Sequence, residues 1–389
     1  MYVRSLIQQS KIRTVLFLAV FGLTLGGTAS AQVTPAAGYT PPDDTPALRV
    51  GMTFYGNYTY QSWPKLAADA DGNTANANSF DVTRSYLNFT GNLSHIVAFR
   101  LTPDITRATS IVSSSSVTTN SLVFRVKYAY AQFNLDDWTR NWKQTWVRIG
   151  ANQTPYVDWD EGVYRYRFQG TVFTERVGRL TSSDYGVSVH TNLPDNYGEI
   201  HTGVYNGEGY STAETNGRKA FQTRVTIRPL PKGGMTMRGL RVTGFYDKDN
   251  YLRNDVKERF VFKALFEHPH IVASFDYMDA TDRTTAASSL LHGRGYSIWA
   301  TPIFKQKGNG PELLLRWDSY TPSRGAEDST NKTKKQNVLI VGPSYWFPHQ
   351  GTVSASLLGD LEVVTFPGSP QTGSTVPTRK YALHAFLNF

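Results

Sequence analysis

From residue 48 onward, apolar and polar positions alternate in segments of mostly ten to fourteen residues, as in RVGMTFYGNYTY (49–60) and KERFVFKALFE (257–267). A period of two places successive side chains on opposite faces of a strand. The pattern predicts strands at about 48–61, 79–91, 95–105, 121–135, 143–152, 183–192, 197–206, 219–228, 236–248, 257–267, 270–279, 293–303, 311–319, 334–346, 351–363 and 378–389. Their length suits tilted strands crossing a hydrocarbon layer, which take about 9–11 residues. Strands of soluble sheets average only about 5–6. No helical period competes over comparable length.

The connections alternate between two classes. Long ones (62–78, 106–120, 153–182, 207–218, 280–292, 320–333 and 364–377) follow odd-numbered strands, and short turns such as NLSH (92–95), LPDN (193–196) and PLPKGG (229–234) follow even-numbered ones. Membrane barrels sort their loops this way, with an even strand number. The expectation is an all-β fold: a transmembrane antiparallel β-barrel of about 16 strands over 47–389, with both ends of the barrel on the short-turn side. Closure satisfies every backbone group in lipid.

The last strand, YALHAFLNF (381–389), places Leu383, Leu387 and Phe389 outward, toward lipid and its aromatic girdle. An alternating strand ending in Phe resembles the signal read by barrel-assembly machinery, which makes Phe389 the expected assembly signal. At the other end, Arg4, Lys11 and Arg13 precede the apolar run TVLFLAVFGLTLGG and the small residues Ala29 and Ala31. Residues 1–31 therefore read as a cleaved signal peptide, since an apolar core of about 14 residues falls short of the ~20 that span a bilayer. A Pro-rich leader (32–46) follows. The net charge of +9 becomes +6 once those three cations are removed. With no cysteine, disulfides and thiolate chemistry are excluded. The expected location is the bacterial outer membrane.

Several stretches resemble the phosphate-selective porins of the O and P type: SFDVTRSYLNFTGNL (79–93), FRLTPDI (99–105), KYAYAQFNL (127–135), RIGANQTPYV (148–157), FTERVG (173–178) with SSDYGV (182–187), and GVYNGEGY (203–210). They stand in that family's order over roughly the first half of the mature chain. The resemblance implies a trimeric sixteen-stranded barrel that passes phosphate or similar small anions.

Apolar residues face lipid, so their alternates line the lumen. Applied strand by strand, this rule predicts Arg84, Arg100, Arg125, Lys127, Arg148, Arg224, Arg228, Arg241, Arg259, Lys263, Arg316 and Lys380 as pore-lining cations, against the acids Asp104, Asp184, Glu199, Glu267, Glu312 and Asp318. Rings of Arg and Lys suit anion pores, and the planar guanidinium matches phosphate. The same cations could instead pair with lumen acids to brace the barrel. The longest connection, 153–182, is expected to fold inward as a constriction loop, packed by Tyr156, Trp159, Tyr164, Tyr166 and Phe168. Its charges cancel: Arg165, Arg167, Arg176 and Arg179 stand against Asp158, Asp160, Glu161 and Glu175.

Two other functions fit the pattern. One is a general porin for small polar solutes or sugars without anion preference. The other is a barrel hydrolase using His190 and His201 near Asp184, although no GxSxG or HExxH motif accompanies them. A soluble glycan-binding β-protein is hard to reconcile with the outward apolar rows. His268-Pro269-His270 lacks a third ligand, so no metal site is expected. The chain is read as a non-enzyme without cofactor and without nucleic-acid partner. Its expected partners are small anionic or polar solutes, outer-membrane lipids, the barrel-assembly machinery and two copies of itself.

Overall fold

Alternating Val, Tyr, Phe and Thr favour the pleated backbone, where branched and aromatic side chains pack against cross-strand neighbours. In the computed structural model of the protein they form sixteen long strands: β1 (Ala47–Trp63), β2 (Asn78–Asn92), β3 (Val97–Arg107), β4 (Leu122–Asn134), β5 (Lys143–Gln153), β6 (Ser183–Asn192), β7 (Gly198–Tyr205), β8 (Ala220–Ile227), β9 (Leu240–Asp249), β10 (Val256–His268), β11 (Ile271–Arg283), β12 (Leu291–Pro302), β13 (Gly310–Thr321), β14 (Gln336–Trp346), β15 (Ser354–Thr365) and β16 (Thr378–Asn388). The structure describes residues 43–107, 111–112, 117–118, 121–250, 255–283, 290–323, 334–348, 353–369 and 373–389. The predicted signal peptide and most of the Pro-rich leader lie outside them.

Each strand pairs antiparallel with its neighbours in sequence, and β1 pairs with β16, closing the barrel as the alternation predicts. The seam runs from Thr53↔Asn388 to Gln61↔Lys380, and Met52 and Phe389 exchange two backbone hydrogen bonds of 3.0 Å. Pro103 has no N–H to give to the β3–β4 ladder. Opposite it the register shifts, with Thr102 facing Tyr128 and Pro103 facing Val126, so Lys127 is an extra, bulged residue. The bulge turns both Lys127 and Tyr128 to the buried side.

The two faces invert the usual order of a soluble protein. Leu48, Phe80, Phe124, Phe221, Ile298 and Leu383 are exposed, whereas Arg224, Arg259, Lys263, Asp276 and Arg316 are buried. Phe389 is also outward, about 50% exposed, beside Leu383 and Leu387. The loop sorting is less strict than predicted. The β9–β10 connection on the long-loop side (250–255) is shorter than the β8–β9 turn (228–239). Pro229 and Pro231 account for the longer turn, because neither can donate to a ladder.

Eight-stranded barrels are filled by their own side chains; sixteen strands leave a space that wall residues cannot close. The β5–β6 connection occupies much of it. It contains two short helices that no periodicity announced, α1 (Val157–Tyr164) and α2 (Phe173–Arg176). Helix α1 carries Asp158 and Asp160 in its first turn, where the helix dipole favours acids, and ends at Arg165 with φ 52°. The apolar core of the molecule lies here, inside the barrel. Tyr156, Tyr164, Tyr166, Phe168 and Phe173 pack against the inward residues Tyr55, Phe245, Trp299, Tyr320, Trp346 and Phe386.

Candidate functional site

The inner wall has two sides of different character. Along β8–β15, nearly every inward charge is engaged with the loop or with a neighbouring strand. Arg224 donates to Pro155 O (2.6 Å) and Glu199 (3.0 Å). Lys263 bridges Asp160 (2.7 Å) and Asp276 (2.8 Å), while Tyr156 donates to the same Asp276 (2.8 Å). Arg316 pairs with Asp318 (2.6 Å) and donates to Thr171 O (2.9 Å). Arg259 pairs with Asp282 (2.6 Å), and Arg241 pairs with Glu267. The loop's arginines reach wall acids in return: Arg165 to Glu312 (2.7 Å), Arg176 to Glu362 (2.9 Å) and Arg179 to Asp282 (2.6 Å). Arg167 stays within the loop, on Glu161 (2.5 Å) and Glu175 (3.4 Å). Asp158 accepts from Tyr128 (2.8 Å).

Along β2–β5 the inward arginines are less buried: the side chains of Arg84 and Arg125 are 22% and 33% exposed, against 1–3% for Arg224, Arg259 and Arg316. Arg84 and Arg125 (3.0 Å) share one oxygen of Asp104, which also accepts from Tyr210 (3.1 Å) of the 206–219 loop. Lys127 is buried over the rings of Tyr86 and Tyr128, with Glu161 at 3.9 Å. Arg100 and Arg148 differ from all of these. Arg100 donates to Thr102 (2.9 Å) and Asn88 (3.0 Å), with its guanidinium 4.4 Å above the Tyr128 ring. Arg148 donates to Gln132 (2.9 Å) and Gln153 (2.7 Å) and stacks on Trp146 at 3.7 Å. Both are half-buried and have no carboxylate partner among the described residues. Lys380 stands opposite Glu362 in the β15–β16 register, and Arg228 is buried where β8 enters its turn.

The expected two-to-one excess of inward cations over acids is absent. Asp247, Asp249, Asp276, Asp282, Asp360 and Glu362 also face inward, and they double the predicted acids. Among the described residues the cations gain Arg49, on the wall of an inner cavity, Lys257, paired with Asp249 (2.8 Å), and Lys307 of the β12–β13 turn, paired with Glu267 (2.7 Å). The signal was available: Asp276, Met278, Ala280 and Asp282 alternate on β11 as regularly as the arginines do on their strands.

His190 and His201 are cross-strand partners with rings 5.9 Å apart, but Asp184 joins neither. His190 contacts Glu199 (3.0 Å) and the Gln144 carbonyl (2.9 Å), while Asp184 accepts backbone N–H groups from Tyr185 and Gly207. The dyad that the hydrolase alternative would need is therefore not assembled. Among the described residues no group of three or more His, Asp or Glu is placed to hold a metal ion.

A closed sixteen-stranded antiparallel barrel with an apolar exterior and a charged interior narrowed by one long connection is the fold of outer-membrane porins. No family model matches the chain, and no curated protein matches it in sequence. Solved structures do. OmpT of Vibrio cholerae in its trimer form covers 89% of this chain and 100% of its own, at 10% identity and TM-score 0.55. The outer membrane channel DcaP of Acinetobacter baumannii covers 88% and 97%, at 11% identity and TM-score 0.56. OprB of Pseudomonas putida covers 88% and 94%, at 9% identity and TM-score 0.55.

Proposed function

We propose that this protein is a passive diffusion channel of the bacterial outer membrane, a homotrimer that prefers small anions, phosphate among them. The carrying observation is that Arg100 and Arg148 have neutral partners and no carboxylate among the described residues, on the side of the lumen where the inward arginines are least buried. Elsewhere the loop and wall pair one another's charges and fix the loop inside the barrel. Solute is then left a path along β2–β5, where Arg84 and Arg125 together outnumber Asp104. In a narrow, low-dielectric passage such a field raises the local anion concentration and replaces part of the hydration that an anion gives up. The short-turn end faces the periplasm in this reading, as in barrels generally. Similarity to a channel and to a barrel in trimer form supports transport and the oligomer.

The test is the reversal potential across a planar bilayer under a salt gradient at low ionic strength, where screening is weakest. A potential on the anion side is expected. A potential of zero would leave a general porin for small polar solutes, the reading that the near-balanced inner acids favour.

A further inference from the structure

A cavity of about 210 Å³ opens on the inner wall at the short-turn end, between β1, β2, β3 and β4. The sheet register builds it from two rows. Arg49, Thr90, Arg100 and Tyr130 are successive cross-strand partners in one. Ala47, Asn92, Ala98 and Gln132 are successive partners in the next, nearer the turns. Cross-strand partners share a face, so two guanidinium groups flank a hydroxyl in the first row, and two methyl groups flank an amide in the second.

The chemistry of the lining is one-sided. It contains two arginines and no acid. The side chains of Arg49, Thr90 and Asn92 make no hydrogen bond among the described residues. Arg100 spends Nε on Thr102 and Nη2 on Asn88, which leaves Nη1 without a partner among the described residues. Size narrows the class of ligand. At about 30 Å³ per water the space equals roughly seven waters, more than a bare oxyanion fills. The remainder lies over Ala47, Ala98 and the ring of Tyr130.

We propose that this cavity binds a small organic carboxylate, its oxyanion held by Arg49, Arg100 and Thr90 and its apolar body laid over Ala98 and Tyr130. The assignment rests on the anion-channel reading, which it deepens by naming a solute class. A planar carboxylate suits the guanidinium fork, and the body distinguishes this solute from phosphate, which carries none.

The experiment titrates chloride current through single channels of the full chain with benzoate, acetate and phosphate. Benzoate should halve the current at a lower concentration than the other two. Arg49→Ala, a change at an exposed position, should raise the half-blocking benzoate concentration about tenfold, as loss of a charged hydrogen bond does. Thr90→Val should raise it several-fold with no change in charge, and compact mobility of the unboiled protein on a detergent gel equal to the parent's reports correct assembly of either variant. Unchanged benzoate block in both variants overturns the site. Equal block by all three anions, weakened equally by Arg49→Ala, also overturns it, because a diffuse field would then explain everything. A parent channel with anion preference but no benzoate block sinks the site alone. One with no anion preference but Arg49-dependent benzoate block keeps the site and sinks the selectivity reading.

Discussion

Lys263 is fully buried, and its ammonium lies between Asp160 of the loop and Asp276 of the wall. A buried pair adds little net stability by its presence, but removing one member strands the other in low dielectric, at about 3–5 kcal/mol. Lys263→Met should therefore destabilise the folded channel by roughly that amount, read as a lower temperature for the loss of compact mobility on an unboiled gel. Equal mobility curves for variant and parent would mean that this pair does not tie the loop to the wall. Ion pairs behave differently where water reaches them. His95, in the turn between β2 and β3, contacts Asp44 (2.5 Å) and Asp137 (3.0 Å). The hydrogen bond to Asp44 raises the imidazole pKa above its usual 6.5, with the nearby carboxylate charges adding to the effect. A raised pKa means that the contact is fully present below the ordinary value and is lost as pH rises through the raised one. Proteolysis at the segment around Asp44 should accelerate across that range in the parent, while His95→Ala should be cut at the faster rate at every pH.

The elements differ in how plainly the chain declares them. All sixteen strands can be read from alternation because lipid on one side and charge on the other impose a period of two with few exceptions. Lys127 is an exception whose cause, Pro103, is visible only once the two strands are aligned. Helices α1 and α2 left no trace because eight and four residues are too few to establish a period. The cations of the candidate site were legible one by one, but their partners were not, since Arg165–Glu312 and Arg176–Glu362 join residues far apart in sequence. The inward position of the β5–β6 connection was foreseeable from its aromatics, each of which gains about 1.5–3 kcal/mol by leaving water. Excising Gly162 to Gly178 removes Tyr164, Tyr166, Phe168 and Phe173 together with three of the loop's four arginines. Single-channel conductance should rise well above the parent's, and a correctly assembled deletion with unchanged conductance would place the constriction elsewhere. At the seam, Phe389 gives its backbone to Met52 and its ring to the outer surface. Phe389→Ser keeps the first and loses the second, so it should lower barrel yield in the outer membrane. Deletion of the residue loses both and should lower it further. Normal yield for both would remove Phe389 from assembly.

At the scale of the whole molecule the charges are divided by side. The β8–β15 wall and the loop neutralise each other across a dense set of contacts, so a substitution there acts first on the constriction and only then on permeation. The β2–β5 wall carries Arg100 and Arg148, whose partners are neutral amides, a hydroxyl and aromatic rings. Those contacts hold the guanidinium groups in place without cancelling their charge, and both groups remain partly exposed to the lumen. Changing each to Glu reverses the field along the open wall while leaving every ion pair of the opposite wall intact. The double variant Arg100→Glu/Arg148→Glu should therefore assemble normally and move the reversal potential toward cation preference, most strongly at low ionic strength, where screening is weakest. Each single variant should move it part of the way, because both sites lie on the same path. The two placements of the selectivity make opposite forecasts for Arg316→Gln, on the neutralised side: a path along β2–β5 leaves its reversal potential at the parent value even if conductance changes. A large shift in Arg316→Gln with none in the double variant would put the selective path under the loop on the β8–β15 side, and the open wall would lose its role.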